Sequence, residues 1–292
     1  MLELHNVTKT FGKHVTAVAD VSLRLEPGVV GLIGHNGAGK TTLMQMIATL
    51  TKPSDGRILF DGGDVVAKPD AIRNRLGYLP QDFGVYRNVT ALEFMRYFAA
   101  LKGVRDPARI RRLLELVNLH DQAHRMASTF SGGMLRRLGI AQALLNDPDI
   151  LVVDEPTAGL DPEERLRFRN LLSDLGFNKL VIISTHIVSD VESIAGQLAI
   201  MRSGRLVACD TPDAILGRAR GQVWSASVAA DEYESLRTRL ETGAHVLQAL
   251  RQGERVNLRI AHPTLPCAGA QPCEPSLEEA LMAQRYAVKE AA

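Results

Sequence analysis

The stretch from Gly34 to Thr42 has the residue types and spacing to hold a chain of phosphates. Gly34, Gly37 and Gly39 alternate with His35, Asn36 and Ala38, and Lys40, Thr41 and Thr42 follow directly. This fits Gly-x-x-x-x-Gly-Lys-Ser/Thr and comes straight after the apolar run Val29 to Ile33, where a strand gives way to a helix. Phosphate oxygens must be wrapped by backbone N–H groups, and glycines let the chain curl close without Cβ clashes. Lys40 supplies a point charge for the β- and γ-phosphates and Thr41 a hydroxyl for Mg²⁺. The N-terminus of the helix that follows adds its dipole. The bland alternative is a glycine-rich turn that only links a strand to a helix, and the residues downstream weigh against it.

Those residues are acidic, polar or small, and sit at the ends of predicted elements. Asp154 follows the apolar run Ile150 to Val153, so its carboxylate emerges at a strand end, where it can hold Mg²⁺ through water; Glu155 stands beside it. A carboxylate in Glu155's place suits a general base for a water molecule. Read alone, Asp154 would be a helix cap. His186 ends a second apolar run, Leu180 to Ser184, and Gln81 follows a third, Leu76 to Leu79. Asp161, Pro162 and Glu164 make a helix start in their own right. Ser131, Gly132 and Gly133 present a hydroxyl and open N–H groups at another helix start, an anion site or a simple cap.

Taken in order, these motifs resemble the nucleotide-binding subunit of the ATP-binding cassette (ABC) transporters, over residues 1–220. Ser131 to Arg137 is similar to that family's signature, Leu-Ser-Gly-Gly-Gln, with Phe130 and Met134 as departures; Ile150 to Glu155 is similar to its second Walker motif. Ala158 to Asp161 resembles the D-loop, His186 the switch histidine and Gln81 the Q-loop glutamine. The resemblance implies a P-loop ATPase core with an antiparallel β subdomain and a helical insertion, binding ATP and Mg²⁺. It makes Gln81 a further ligand of Mg²⁺ or water, and has His186 contact the γ-phosphate and hold the water in line with Glu155. Phe11 matches the aromatic that stacks on adenine, with Val18 packed beneath it. It also implies that Ser131, Gly132, Gly133 and Asp161 reach the ATP held by a second subunit, so that ATP closes a dimer and hydrolysis opens it.

Those residues need a scaffold, and the hydropathy pattern supplies one. Leu2 to Val7 and Val15 to Leu25 read as antiparallel strands, the second alternating Val21, Leu23 and Leu25 on one face. Arg57 to Phe60 and Leu76 to Leu79 are further strands. From about 82 to 145 the pattern is helical, with a capping box at Thr90 and Glu93 and a start at Asp106 and Pro107. Apolar strands return at Ile150 to Val153, Leu180 to Ser184 and Leu198 to Met201, as a buried parallel sheet requires. The composition shifts at Gly217 to Gly221, read as a boundary. Residues 221–292 are expected to form a small α+β accessory or regulatory domain.

Composition narrows the partners. With 292 residues and a net charge of +1, the chain is long enough for a large core but has no basic face for nucleic acid. Cys209, Cys267 and Cys273 suit neither a disulfide framework nor a zinc site, and the start of the sequence lacks a signal-peptide layout, so a cytoplasmic location is expected. No apolar run reaches the ~20 residues of a membrane-spanning helix. In the transport reading, membrane contact is therefore through a separate permease, on the cytoplasmic face.

Three functional classes stay open on the sequence. The first is the energising subunit of a transporter, favoured by the intact insertion between Gln81 and Ser131 and resembling export subunits for drugs, polyketides, lipids or polysaccharides; an importer subunit is its variant. The second is a soluble ABC ATPase of translation, DNA repair or cofactor assembly. The third is a module that traps ATP without turnover, which the presence of Lys40, Asp154, Glu155 and His186 argues against.

Overall fold

The computed structural model describes residues 1–12, 14–240 and 244–290. Its elements run β1 (Leu2–Phe11), β2 (Val15–Leu25), β3 (Gly28–Ile33), α1 (Lys40–Ile47), β4 (Asp55–Phe60), β5 (Gly63–Asp64), α2 (Pro69–Arg73) and β6 (Leu76–Leu79). Then come α3 (Ala91–Leu101), α4 (Pro107–Leu116), α5 (Gly132–Ala143), β7 (Ile150–Asp154), α6 (Pro162–Gly176), β8 (Leu180–Thr185), β9 (Gln197–Arg202) and β10 (Arg205–Asp210). The last elements are α7 (Pro212–Ala219), β11 (Val223–Ala229), α8 (Tyr233–Leu240), β12 (His245–Gln252), β13 (Arg255–Ala261), β14 (Gln271–Pro272) and α9 (Leu277–Glu290). Backbone packing divides the chain into two units, residues 1–209 and 210–292.

The first unit is built on two sheets. One has the order β2-β1-β4-β5, with β1 antiparallel to both β2 and β4. In β2 the alternation works as expected: Val21, Leu23 and Leu25 are buried while Ser22 and Arg24 between them are exposed. The other sheet has the order β10-β9-β3-β8-β7-β6, with β9, β3, β8, β7 and β6 parallel. Every residue of β7 and β8 is buried, which explains their unbroken apolar sequence: both faces of a parallel sheet are covered, so no polar face is needed. The two sheets share one hydrophobic core, to which Leu4, Val21, Leu32, Met44, Ile58 and Val152 all belong.

Between β6 and β7 lies the helical insertion of α3, α4 and α5. Thr90 and Glu93 form the expected capping box on α3, and Asp106 caps α4 through the Ala108 N–H. The insertion has its own aromatic packing, with Phe83 edge-on to Phe94 at 5.8 Å and Phe94 tilted against Phe98 at 4.7 Å.

The second unit is an antiparallel sheet of order β12-β13-β11-β14 with helices α7, α8 and α9. Its core joins Ala226, Leu258 and Ile260 of the sheet to Leu236 and Leu240 of α8. Helix α7 is an addition to the sequence reading. Its start is marked by Thr211, which caps the Ala214 N–H, and by Pro212 in the first turn.

Candidate functional site

The loop after β3 is shaped by contacts that exclude side chains at two positions. A Cβ on Gly34 would lie 2.5 Å from the Met201 carbonyl oxygen. Gly39 has φ of 100°, and a Cβ there would lie 2.4 Å from the Ala17 carbonyl. Between them His35, Asn36 and Gly37 are exposed, while Ala38 is buried and donates its N–H to the His35 carbonyl at 3.1 Å. Thr41 and Thr42 are half-buried in the first turn of α1.

Helix α1 begins without a side-chain cap and without an acidic residue in its first turn. By contrast α3, α4, α5, α6 and α7 are capped by Thr90, Asp106, Ser131, Asp161 and Thr211. The leading N–H groups of α1 therefore face the concave loop with no protein side chain to satisfy them, and a phosphate is the natural acceptor.

Lys40 is 5 % exposed and turned into that loop, donating to the Gly34 carbonyl at 2.7 Å and the His35 carbonyl at 3.3 Å. Its Nζ also lies 3.5 Å from Oε1 of Glu155. The other Glu155 oxygen, Oε2, lies 2.7 Å from His186 Nδ1, at the end of the neighbouring strand β8. Lys40, Glu155 and His186 thus converge, arriving from the ends of β3, β7 and β8, which are adjacent in the sheet. Glu155 itself has φ of 47°. A left-handed conformation in a non-glycine residue costs of order 1–3 kcal/mol, and here it turns the carboxylate back toward the glycine loop.

Ser184 explains how that turn is held. It donates to Asp154 Oδ1, and its own Oγ accepts the Glu155 N–H at 2.9 Å. Asp154 is fully buried, and its second oxygen, Oδ2, has no hydrogen-bond partner. An orphaned carboxylate oxygen at the end of β7, with α1 packed against that strand, fits a divalent cation site that also draws on Thr41. One strand away, burial and then the Asp154 carboxylate push the Tyr78 hydroxyl pKa up to about 12.

The remaining candidates make hydrogen bonds and ring contacts of their own. Gln81 is exposed after β6, and its backbone carbonyl accepts from Arg136 at 2.5 Å. Ser131 and Gly132 are exposed and Gly133 is buried at the start of α5, where Ser131 accepts the Met134 N–H at 3.3 Å. Asp161 is exposed and caps α6 through the Glu164 N–H at 2.9 Å. Phe11 is 45 % exposed at the end of β1, with the Lys9 ammonium 5.0 Å from its ring centre. Val18 is fully buried in the core opposite Lys9, so it offers no surface to a base; the exposed residue paired with Phe11 is Val15.

Several contributors carry no motif signal. Ser184 is one as the partner of Asp154, a role that nothing in its apolar run and the following Thr185 marks. Another is the buried pair in which Thr157 donates to Asp190 at 2.5 Å, tying the segment after Glu155 to the chain beyond His186. Three arginines on the helical insertion are held by carbonyls of other segments. Arg109 donates to the Leu144 carbonyl at 2.7 Å, and Arg136 and Arg137 are half-buried and bonded to carbonyls of other segments.

Comparison with known proteins gives the same picture. The profile of the family described as "ABC transporter" matches residues 18–158. The chain is 37% identical to the Nod factor export ATP-binding protein I of Cupriavidus metallidurans, over 82% of this chain and 80% of that protein. It is 39% identical to the methionine import ATP-binding protein MetN of Corynebacterium efficiens, over 70% of this chain and 61% of that one. Among solved structures, the dimeric cassette MJ0796, in a post-hydrolysis state with ADP and Pi, superposes with a TM-score of 0.65 at 27% identity. The match covers 72% of this chain and 98% of that one.

Proposed function

Because the chain belongs to the ABC transporter family, as an ATP-binding subunit with ATPase chemistry, we propose that it powers export through a separate membrane-spanning permease, using two ATP sites shared by paired subunits. The observation that carries the catalytic reading is the placement of Glu155 between Lys40 and His186 at the mouth of the glycine loop. ATP lays its phosphates on the uncapped N–H groups of α1, and Lys40 leaves the Gly34 and His35 carbonyls for the β- and γ-phosphate oxygens. Glu155 takes a proton from water as the water oxygen bonds to the γ-phosphorus and the bond to ADP breaks. His186 keeps the Glu155 carboxylate aimed, and Phe11 stacks on the adenine. Asp154, Thr41 and Gln81 would hold Mg²⁺, which offsets phosphate charge.

The reading assigns Ser131, Gly132 and Gly133, with Asp161, to the ATP of the second subunit. Export is supported by the likeness to the Nod factor export subunit, which runs over 82% of this chain, against 70% for the methionine import subunit. No helix among the described residues is long and apolar enough to cross a membrane. The reading therefore places the chain on the cytoplasmic face, held by the permease. The test is to purify a tagged chain from native membranes in mild detergent and identify what accompanies it by mass spectrometry. A stoichiometric multispan protein supports transport. Recovery only in the soluble fraction with ribosomal, repair or assembly factors overturns it and leaves the ATPase chemistry in place.

A further inference from the structure

We propose that Arg136 and Arg137 are positioning residues that lock the Ser131–Gly133 turn to the two loops carrying Gln81 and Asp161, so that the three segments move as one body when ATP closes the dimer. The proposal rests on the two-site reading above. Consecutive residues on a helix point about 100° apart, so these two side chains leave α5 toward different neighbours. Arg136 Nη1 donates to the Gln81 carbonyl at 2.5 Å and to the Pro80 carbonyl at 3.2 Å. Its guanidinium is half-buried, and burial lowers its pKa against the pull of Asp82 and Asp154.

Arg137 turns the other way. Its Nη1 donates to the Val117 and Asn118 carbonyls at 3.1 and 3.3 Å, and its Nε lies 3.3 Å from Oε2 of Glu164. Glu164 is the residue whose backbone N–H Asp161 caps, so its carboxylate reports the position of the Asp161 loop. The same carboxylate presses on the turn itself: a Cβ on Gly133 would lie 2.6 Å from Glu164 Oε2. A side chain on Gly133 would therefore displace the Glu164 carboxylate.

The chemistry favours a lock over incidental contact. Both bonds of Arg136 leave one charged nitrogen, Nη1, an arrangement that a lysine ammonium can in part supply. Charge-assisted bonds are strong, and breaking those to the part-buried Pro80 and Val117 carbonyls strands both partners. A displacement of the Gln81 loop thus pulls on α5 through Arg136, and α5 carries Gly133, Arg137 and Glu164 with it.

The experiment uses the full chain with Arg136→Met, which keeps the aliphatic stem and removes the donors, Arg136→Lys, which restores one charged donor, and Glu164→Ala. Affinity for a fluorescent ATP analogue, KM and kcat are measured, with Tm as a folding check. The expected result is kcat lowered about tenfold in Arg136→Met and Glu164→Ala at unchanged analogue affinity, with most of the loss recovered in Arg136→Lys. Unchanged kcat in either Arg136→Met or Glu164→Ala overturns the proposal. So does a parallel collapse of affinity, Tm and kcat that Arg136→Lys does not relieve, since that is a general folding role. Should Arg136→Met fail to fold, Glu164→Ala decides the matter alone. Failure of the underlying two-site reading shows separately, as an unsubstituted chain that binds ATP and hydrolyses it at a rate per chain independent of protein concentration.

Discussion

His186 Nδ1 lies 2.7 Å from Glu155 Oε2, closer than the 3.5 Å that separates Lys40 from the other oxygen of the same carboxylate. The two partners differ in what happens to them. In the proposed mechanism Lys40 is drawn off by the phosphates when ATP arrives, whereas His186 stays beside the base.

His186→Ala should therefore lower kcat by about two orders of magnitude, the usual scale for loss of aim in general-base catalysis. ATP affinity by calorimetry should hold, because the glycine loop and Lys40 are intact. An unchanged kcat would remove His186 from the mechanism.

Lys40→Ala acts at the opposite end of the same cluster. It deletes the ammonium turned into the glycine loop, and calorimetry should show nucleotide binding lost. Unaltered affinity would mean that the loop is not the phosphate site.

Ser184→Ala tests the residue that holds Asp154 and the Glu155 backbone in place. It strips Asp154 Oδ1 of its donor, leaving a fully buried carboxylate unpartnered at both oxygens. Urea unfolding should show a loss of about 1–3 kcal/mol. Full stability in the variant would show that the serine is a bystander.

Lys102 gives a pH-dependent prediction away from the site. Its ammonium, donating to Asn146 at 3.0 Å and to the Gln142 carbonyl at 3.3 Å, is mostly buried, and burial brings its pKa from 10.5 to about 8. Below about 8 both folded and unfolded chains carry the charge, and the folded state bears the full cost of burying it. Between about 8 and 10.5 the folded chain is neutral while the unfolded chain still binds the proton, so stability rises with pH across that window. Relative to Lys102→Met, the unsubstituted chain should gain about 3 kcal/mol between pH 7 and pH 10.5. A difference that stays flat over this range would contradict the assignment.

Much of the site was legible because its residues sit in contiguous motifs at strand ends. Gly34 to Thr42, Asp154 with Glu155, and His186 each follow an apolar run, and apolar runs mark where buried parallel strands stop. Val18 was misplaced because register, not spacing, decides which side of β2 faces the core. Ser184 stands in the stretch that ends in His186, yet its bond to Asp154 becomes visible only when the strand beside it is known to end in that carboxylate. The contacts of Arg136 and Arg137 were not legible because their partners lie far along the sequence, Gln81 before the insertion and Glu164 after it. Helix α7 was passed over because Gly217 and Gly221 resemble a linker, although Thr211 and Pro212 carried a start signal.

The central claim, that two chains share ATP between the Lys40 loop of one and the Ser131–Gly133 turn of the other, is tested most directly by the mass of Glu155→Gln in solution. This variant retains the binding groups and lacks the base. Light scattering on a size-exclusion column should show a monomer without nucleotide and a stable dimer in ATP and Mg²⁺, with turnover lowered by about two orders of magnitude or more. A monomer at saturating ATP, with binding verified by calorimetry, would contradict the account.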